Sequence, residues 1–434
     1  MIFRAGGRER SLAMIETITL SPGVTLRCCR DARFKQGAFS VQLVTPMAEA
    51  TAAKNALLPA VLLRGTARCP DLRAVTRELD DLYGASLSPL VRRIGDYQTT
   101  GLYCGFMDDR FALPGDRVLA RIADFTREVL LDSPLREGGF LPEYVEGEKV
   151  NLISTIESER NDKRSYAMSR LLETMCRGDS FGIPRLGRTE QVEAISPQAL
   201  RTHYETILRE SPLEIFYVGS APAEEAAEHF QRMLAGLAGD RKPLPPQTGL
   251  TLGEGSDTVE TMDVAQGNLC MGFSTPITNR DRAFPAMQLL NTLYGGGMTS
   301  KLFQNVREKQ SLCYSVSSGY YAAKGVMTVY AGIEAETEHA AREEILRQLE
   351  ACRAGDITEG ELTAAREALV SSLRAVHDSP GAIESYYATG ALSGLGLTPE
   401  AYMDALNQVT LSDVTAAANT LKLHTTFFLR GECQ

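Results

Sequence analysis

Leu293-Tyr-Gly-Gly-Gly-Met-Thr-Ser-Lys-Leu-Phe-Gln-Asn-Val-Arg-Glu-Lys-Gln-Ser-Leu-Cys-Tyr314 is the stretch on which the fold turns. Its glycine run lacks the Gly-Lys-Ser/Thr order that sets a lysine and a hydroxyl on nucleotide phosphates, so it reads as a flexible turn before a helix. Its opening Leu-Tyr-Gly also occurs at Leu82-Gly84, again at the end of a helical period. Around each copy the order of events is similar: an outer strand, the helix, a strand pair, a helix, and a further helix that starts with acidic residues. That faint repeat argues for a duplicated unit.

Between the copies lies Gly239-Gly255, which carries Lys-Pro-Leu-Pro-Pro-Gln and four glycines and is the most linker-like segment of the 434 residues. The expected organisation is a first domain over 1-238, a linker over 239-255 and a second domain over 256-434. Apolar alternation predicts strands near Ser40-Pro46, Thr100-Met107, Leu213-Gly219, Leu269-Thr275, Ser315-Tyr321, Val326-Ile333 and Thr425-Leu429. Helical periods predict Asp71-Leu82, Gly115-Leu131, Glu143-Cys176, Pro197-Arg209, Ala223-Leu237, Arg280-Leu293, Glu338-Cys352, Glu359-His377 and Pro399-Gln408. Hairpin-like strand pairs between long helices indicate an α+β class: two mainly antiparallel sheets, each covered on one face by helices. No strand is followed by Gly-x-Gly-x-x-Gly, which disfavours a doubly wound nucleotide fold.

Composition narrows the function. Forty-five Lys plus Arg against 55 Asp plus Glu give a net charge of -10, which disfavours a nucleic-acid or anionic-membrane partner. No run approaches the roughly 20 apolar residues of a membrane span. The opening MIFRAGGRERSLAM has charge but no apolar core, so a cytoplasmic protein is expected, starting at Met1 or Met14. Nine cysteines (28, 29, 69, 104, 176, 270, 313, 352 and 433) are spaced irregularly without Cys-x-x-Cys, which points to reduced, mostly buried thiols. The five histidines are His203, His229, His339, His377 and His424, no two within five residues, so no helix can present a local pair of imidazoles to zinc. His203 reads as a structural or surface residue.

The Leu293-Tyr314 stretch resembles the C-domain signature of the M16 metallopeptidases, the insulinase, pitrilysin and mitochondrial-processing-peptidase family. There, Gly-Gly-Gly-x-Ser-Ser-Arg-Leu-Phe leads to an Arg and a Tyr seven residues apart, which Arg307 and Tyr314 match. The resemblance implies that these two hold a substrate peptide opposite the zinc. Phe181-Gly-Ile-Pro-Arg through Thr202-His-Tyr204, followed by Leu213-Glu-Ile-Phe-Tyr-Val-Gly219, is similar to the family's first-domain segment, so the likeness spans nearly the whole chain.

The catalytic motif departs from the family. Active members carry His-x-x-Glu-His before a Lys/Arg-Gly-Thr, and a further Glu on a later helix completes the zinc site. Counting back from Arg64-Gly65-Thr66 places Ala56, Pro59 and Ala60 at the first His, the Glu and the second His. On the later helix Glu148 is kept, but the metal position reads Thr155. A zinc hydrolase needs three protein ligands, a bound water and a carboxylate base, and these side chains supply none of them. Neither a metal nor another cofactor is therefore expected, nor peptidase activity from this chain alone. Pro59 should also make its helix start late or kink.

In the family a strand edge after a Gly-Ala segment receives an extended substrate. Here that strand is Gly84-Ala-Ser-Leu-Ser-Pro-Leu-Val-Arg-Arg93, in which Pro89 lacks the N–H that pairing uses. It either interrupts peptide addition or protects the edge from aggregation. The charged run Ile156-Ala167 reads first as a solvated helix face. Its Asn-Asp-Lys-x-x-Tyr-Ala stretch resembles a zinc-less bacterial branch associated with the aminopentanol modification of elongation factor P.

The expected function is a non-catalytic subunit that binds a peptide or protein substrate and pairs with a zinc-bearing M16 paralogue, or with itself as a homodimer. One alternative is a structural or recognition protein of the same fold with no part in proteolysis. Another is an enzyme using unrelated residues, such as a cysteine, although Cys176 and Cys313 fall where buried packing is the simpler role.

Overall fold

The computed structural model describes residues 15–237 and 239–431; Met1, Met14 and Cys433 lie outside them. The strands are β1 Ile15–Ser21, β2 Val24–Arg30, β3 Gln36–Pro46, β4 Ser86–Ile94, β5 Tyr97–Met107, β6 Leu135–Arg136, β7 Gly139–Phe140, β8 Leu213–Gly219, β9 Ser256–Met262, β10 Gly267–Ser274, β11 Ser315–Tyr321, β12 Val326–Ile333 and β13 Lys422–Gly431. They form a six-stranded sheet in the order β1-β2-β8-β3-β5-β4, a five-stranded sheet in the order β11-β12-β10-β13-β9, and the small β6-β7 pair. Within the sheets only β2–β8 and β13–β9 run parallel. Read from opposite edges, β4-β5-β3-β8-β2 and β11-β12-β10-β13-β9 have the same order and the same parallel step. The α+β class holds, and the repeat seen around Leu-Tyr-Gly is an architectural one.

Alternation along the central strands sets the layers. Phe39, Val41 and Leu43 of β3 point into a core shared with the helices Glu49–Leu62, Val118–Leu131 and Pro197–Glu210. Leu269, Met271 and Phe273 of β10 do the same beneath Phe284–Gly295, Glu338–Ala354 and Glu359–Ala375. The opposite faces are also covered, each by one helix from the other half. Lys163–Met175 lies on β10, β12 and β13, while Pro380–Ser393 lies on β3, β4 and β8.

The first of those crossings exists because the expected helix Glu143-Cys176 is two helices, Pro142–Asn161 and Lys163–Met175. Asp162 breaks it, with ψ at 99° and a side chain that accepts from Arg164 N and from Ser165 Oγ at 2.6 Å. A short carboxylate that bonds its own main chain competes with the helix ladder. The expected disruption at Pro59 does not occur in that form, because Glu49–Leu62 is continuous and contains the proline. The carbonyl that loses its partner to the proline ring is Asn55 O, and Thr100 Oγ1 of β5 donates to it at 2.7 Å. The neighbouring sheet thus supplies the bond that the helix cannot make.

Residues 239–255 form neither helix nor strand in their described part, yet they are held along their length. Arg241 Nη1 donates to Leu208 O and Ser211 O at 3.0 and 2.6 Å, and Gln247 Nε2 donates to Ile94 O and Leu392 O at 3.1 and 2.9 Å. Beside them Lys324, in the turn between β11 and β12, has a side chain with 0% exposure. Its Nζ sits 2.7 Å from Asp96, in the β4–β5 turn, and 3.1 Å from Asp179. It also donates to Thr248 O at 3.3 Å, so one buried ammonium joins both halves and the segment between them. Burial alone would raise the Asp96 carboxyl, but hydrogen bonds from Lys324, Ser180 and Thr248 N hold it below the usual carboxylate range.

Candidate functional site

Ala56, Pro59 and Ala60 stand on Glu49–Leu62, which packs against Pro142–Asn161, the helix of Glu148 and Thr155. Two helices are thus placed side by side where the resemblance implies the metal position. Pro59 faces inward and lines a small apolar cavity of about 20 Å³ with Leu58, Leu62, Thr100 and Tyr204. Thr155 is exposed, and its Oγ1 donates back to Asn151 O at 2.9 Å. Glu148 pairs with Arg64 Nη1 at 3.3 Å and accepts from Asn151 Nδ2 at 3.1 Å. Arg64 leads into the Arg-Gly-Thr turn, where a Cβ on Gly65 would come within 2.6 Å of Tyr144 Oη, so the turn requires glycine. The carboxylate retained from the motif is therefore engaged by a guanidinium.

Next to Ala56 is a polar network that the sequence reading did not assemble. Asn55 Nδ2 donates to Thr45 Oγ1 at 3.0 Å and Gln98 Oε1 at 2.9 Å, which fixes the amide and leaves Oδ1 as an acceptor. His203 Nε2 lies 2.7 Å from that oxygen and must donate to it. Burial first, then the charge of Lys54, pushes the His203 pKa down to about 4. The imidazole is neutral at physiological pH and committed to holding a helix, in keeping with a structural role. Among the described residues no group of three or more His, Cys, Asp and Glu side chains stands together in a way that could hold a metal. The residues at the positions that the resemblance assigns to zinc do not fit it.

Arg307 lies on the π-helical turn Phe303–Lys309, its guanidinium 4.7 Å from the Phe303 ring centroid and its side chain 41% exposed. Tyr314 leads into β11, is 60% exposed, and donates its hydroxyl to Glu334 Oε1. That bond raises the phenol pKa. Glu334 follows β12 by one residue, and its pairing across the hairpin with Tyr314 gave no signal in the sequence.

The edge of β4 is altered in two places. β4 turns into β5 through Gly95 and Asp96, so Ile94 and Tyr97 form the first bonded pair, and the main-chain groups of Leu87, Pro89, Val91 and Arg93 point away from β5. Pro89 thus removes a donor from the free edge. Arg185 Nη1 donates to Val91 O at 3.3 Å and occupies an acceptor there.

Near this edge, between the two halves, is a cavity of about 980 Å³. Its walls include the free-standing end of Pro142–Asn161, the helix Lys163–Met175, residues 182–190, and strands β11 and β12. Six arginines line it: Arg93, Arg160, Arg164, Arg170, Arg185 and Arg188. Four glutamates, Glu157, Glu159, Glu173 and Glu190, share those walls, while Arg307 and Tyr314 are not part of the lining. The eight described cysteines are all unpaired and buried, and burial pushes the Cys176 thiol up to about 12 and the Cys313 thiol up to about 11, which leaves no reactive thiolate there. No helix among the described residues is long and apolar enough to cross a membrane.

Residues 194–369 match the family described as Peptidase M16 inactive domain. Over 419 residues the chain is 26% identical to the "Probable inactive metalloprotease YmfF" of Bacillus subtilis, covering 94% of this chain and 96% of that one. A solved conserved protein of Enterococcus faecalis aligns with a TM-score of 0.90 and 27% identity, over 97% of this chain and 99% of that one. A solved peptidase M16 inactive domain from Pseudomonas fluorescens shares the fold, with a TM-score of 0.79 and 16% identity over 96% and 98% of the two chains. These similarities support a likeness to the M16 peptidases, and the words "inactive domain" and "inactive metalloprotease" in the names of two of the matches agree with Ala56, Pro59, Ala60 and Thr155 at the positions that the resemblance assigns to the zinc chemistry.

Proposed function

We propose that the protein is a non-catalytic M16 subunit that binds a peptide or protein segment and presents it to a zinc-bearing relative. The observation that carries this reading is a division within one fold. Ala56, Pro59, Ala60 and Thr155 offer no metal ligands, and Glu148 is tied to Arg64, whereas Arg307 and Tyr314 are kept exposed at the surface. Family precedent has one chain supply the zinc and another supply the Arg and Tyr. On this reading Arg307 and Tyr314 hold the substrate, and Glu334 is a positioning residue that orients the phenol. The Asn161-Asp-Lys-Arg-Ser-Tyr-Ala167 stretch extends the proposal to the modification of elongation factor P, which deletion of the gene followed by mass analysis of that factor would test.

The purified chain should cleave no peptide, and mixing it with a zinc-bearing relative from the same cell should produce cleavage. Arg307→Ala should then lower turnover by roughly tenfold or more at unchanged complex formation, the effect of misplacing a bound substrate. A stable complex whose members lack an intact zinc motif would favour instead the recognition role without proteolysis.

A further inference from the structure

We infer that Arg164 is the anchor for a single carboxylate on the segment that occupies the 980 Å³ cavity. The inference rests on the peptide-binding role proposed above and names the chemistry that this cavity selects. Three of the six lining arginines are already paired with acids: Arg185 with Glu159, Arg188 with Glu49 and Glu173, and Arg170 with Glu173 and Glu260. Arg93 is turned into the wall, donating to Phe181 O and Ile183 O at 2.7 and 3.0 Å and stacking 4.3 Å from the Phe181 ring. Arg160 and Arg164 remain, and neither forms an ion pair among the described residues.

Arg164 differs from Arg160 in being held. Its guanidinium stacks 4.5 Å from the Tyr330 ring centroid and its Nη2 donates to Ser317 Oγ at 2.9 Å. A stacked guanidinium with one N–H engaged keeps further donors in a fixed plane, the geometry that meets a carboxylate through two parallel bonds. The ring contact and the bond to Ser317 already restrain this long side chain, so less entropy is lost on binding. The nearest acid in sequence, Asp162, spends its carboxylate on Ser165 Oγ and Arg164 N at the helix break.

Two further features define the ligand. Main-chain capture along β4 is obstructed at Pro89 and at Val91 O, so side-chain anchoring takes a larger share of recognition than strand addition. Glu157 and Glu190 are exposed on the same walls without arginine partners, and they repel an acidic run. The cavity thus selects one acidic side chain in an otherwise uncharged segment.

The test uses two fluorescein-labelled peptide pools, randomised among uncharged residues and identical except for a fixed central glutamate in one and glutamine in the other. Fluorescence anisotropy with the full-length protein should show the glutamate pool binding about tenfold more tightly, with the preference lost on Arg164→Gln and partly kept in Arg164→Lys. An unchanged thermal transition in the variants confirms that they are folded. Equal binding of the two pools, or a preference that survives Arg164→Gln, overturns the anchor and leaves peptide binding standing. Binding of neither pool overturns both.

Discussion

The two helices that cross between the halves do the same architectural job with opposite distributions of charge. Lys163–Met175 meets its sheet through an apolar centre, where Ala167 and Leu171 are fully buried against Cys270, Phe427 and Leu429, and it keeps its ions at the rim, with Arg170 and Tyr166 on Glu260. Pro380–Ser393 reverses the pattern. Its ends pack Ile383 on Cys29 and Val218, and Leu392 on Val44 and Tyr97, while Glu384, 1% exposed, sits between them. That carboxylate accepts from Ser40 Oγ at 2.6 Å, Gln42 Nε2 at 3.3 Å, and Arg92 Nη1 and Nη2 at 3.0 and 2.7 Å. An apolar seam stabilises by area and tolerates small shifts, whereas a buried ion pair contributes little net energy but is satisfied in only one register. The second helix is the one whose placement is specified residue by residue.

The largest effect should follow from breaking the ionic seam. Glu384→Leu leaves Arg92 and Ser40 without their acceptor and Gln42 with Ser40 Oγ alone, and should cost about 3–5 kcal/mol in urea unfolding, while Glu384→Leu combined with Arg92→Met should recover most of it. Failure of that rescue would mean that the pair contributes more than its register. Next comes the apolar seam: Leu171→Ala should cost about 2–4 kcal/mol, with no second-site rescue by a charge change. The smallest effect is on acid sensitivity. The Asp96 carboxyl is lowered in the folded state, so its contribution is present above the unfolded carboxylate range, near 3.9, and is lost as pH falls through the lower folded value. Stability measured from pH 6 down to pH 2 should fall less steeply in Asp96→Asn, and an unchanged slope would remove Asp96 from the account.

Much of the layering was legible because it is local. Phe39, Val41 and Leu43, or Leu269, Met271 and Phe273, announce a buried face by alternation alone. The same alternation marks Ser40 and Gln42 as facing away from that core, yet both are fully buried, because the helix that covers them comes from residues 380–393. No local pattern carries that information. The helix break at Asp162 was hidden within a run of charges, and the continuity through Pro59 depended on a threonine in β5. At the candidate site, the helices of Ala56, Pro59 and Ala60 and of Thr155 could be placed from the resemblance alone. The retained features were harder: Glu334 beside Tyr314, Arg185 on the β4 edge and the stacked Arg164 are each brought to their partners by tertiary structure.

The tethering of residues 239–255 has a practical consequence for anyone cutting this protein. Because Lys324, Gln247 and Arg241 fasten the segment to both sides, a protease nick within it would leave the fragments associated, co-eluting as one particle until denaturant is added. A covalent break would be silent in size-exclusion chromatography and visible only on a denaturing gel.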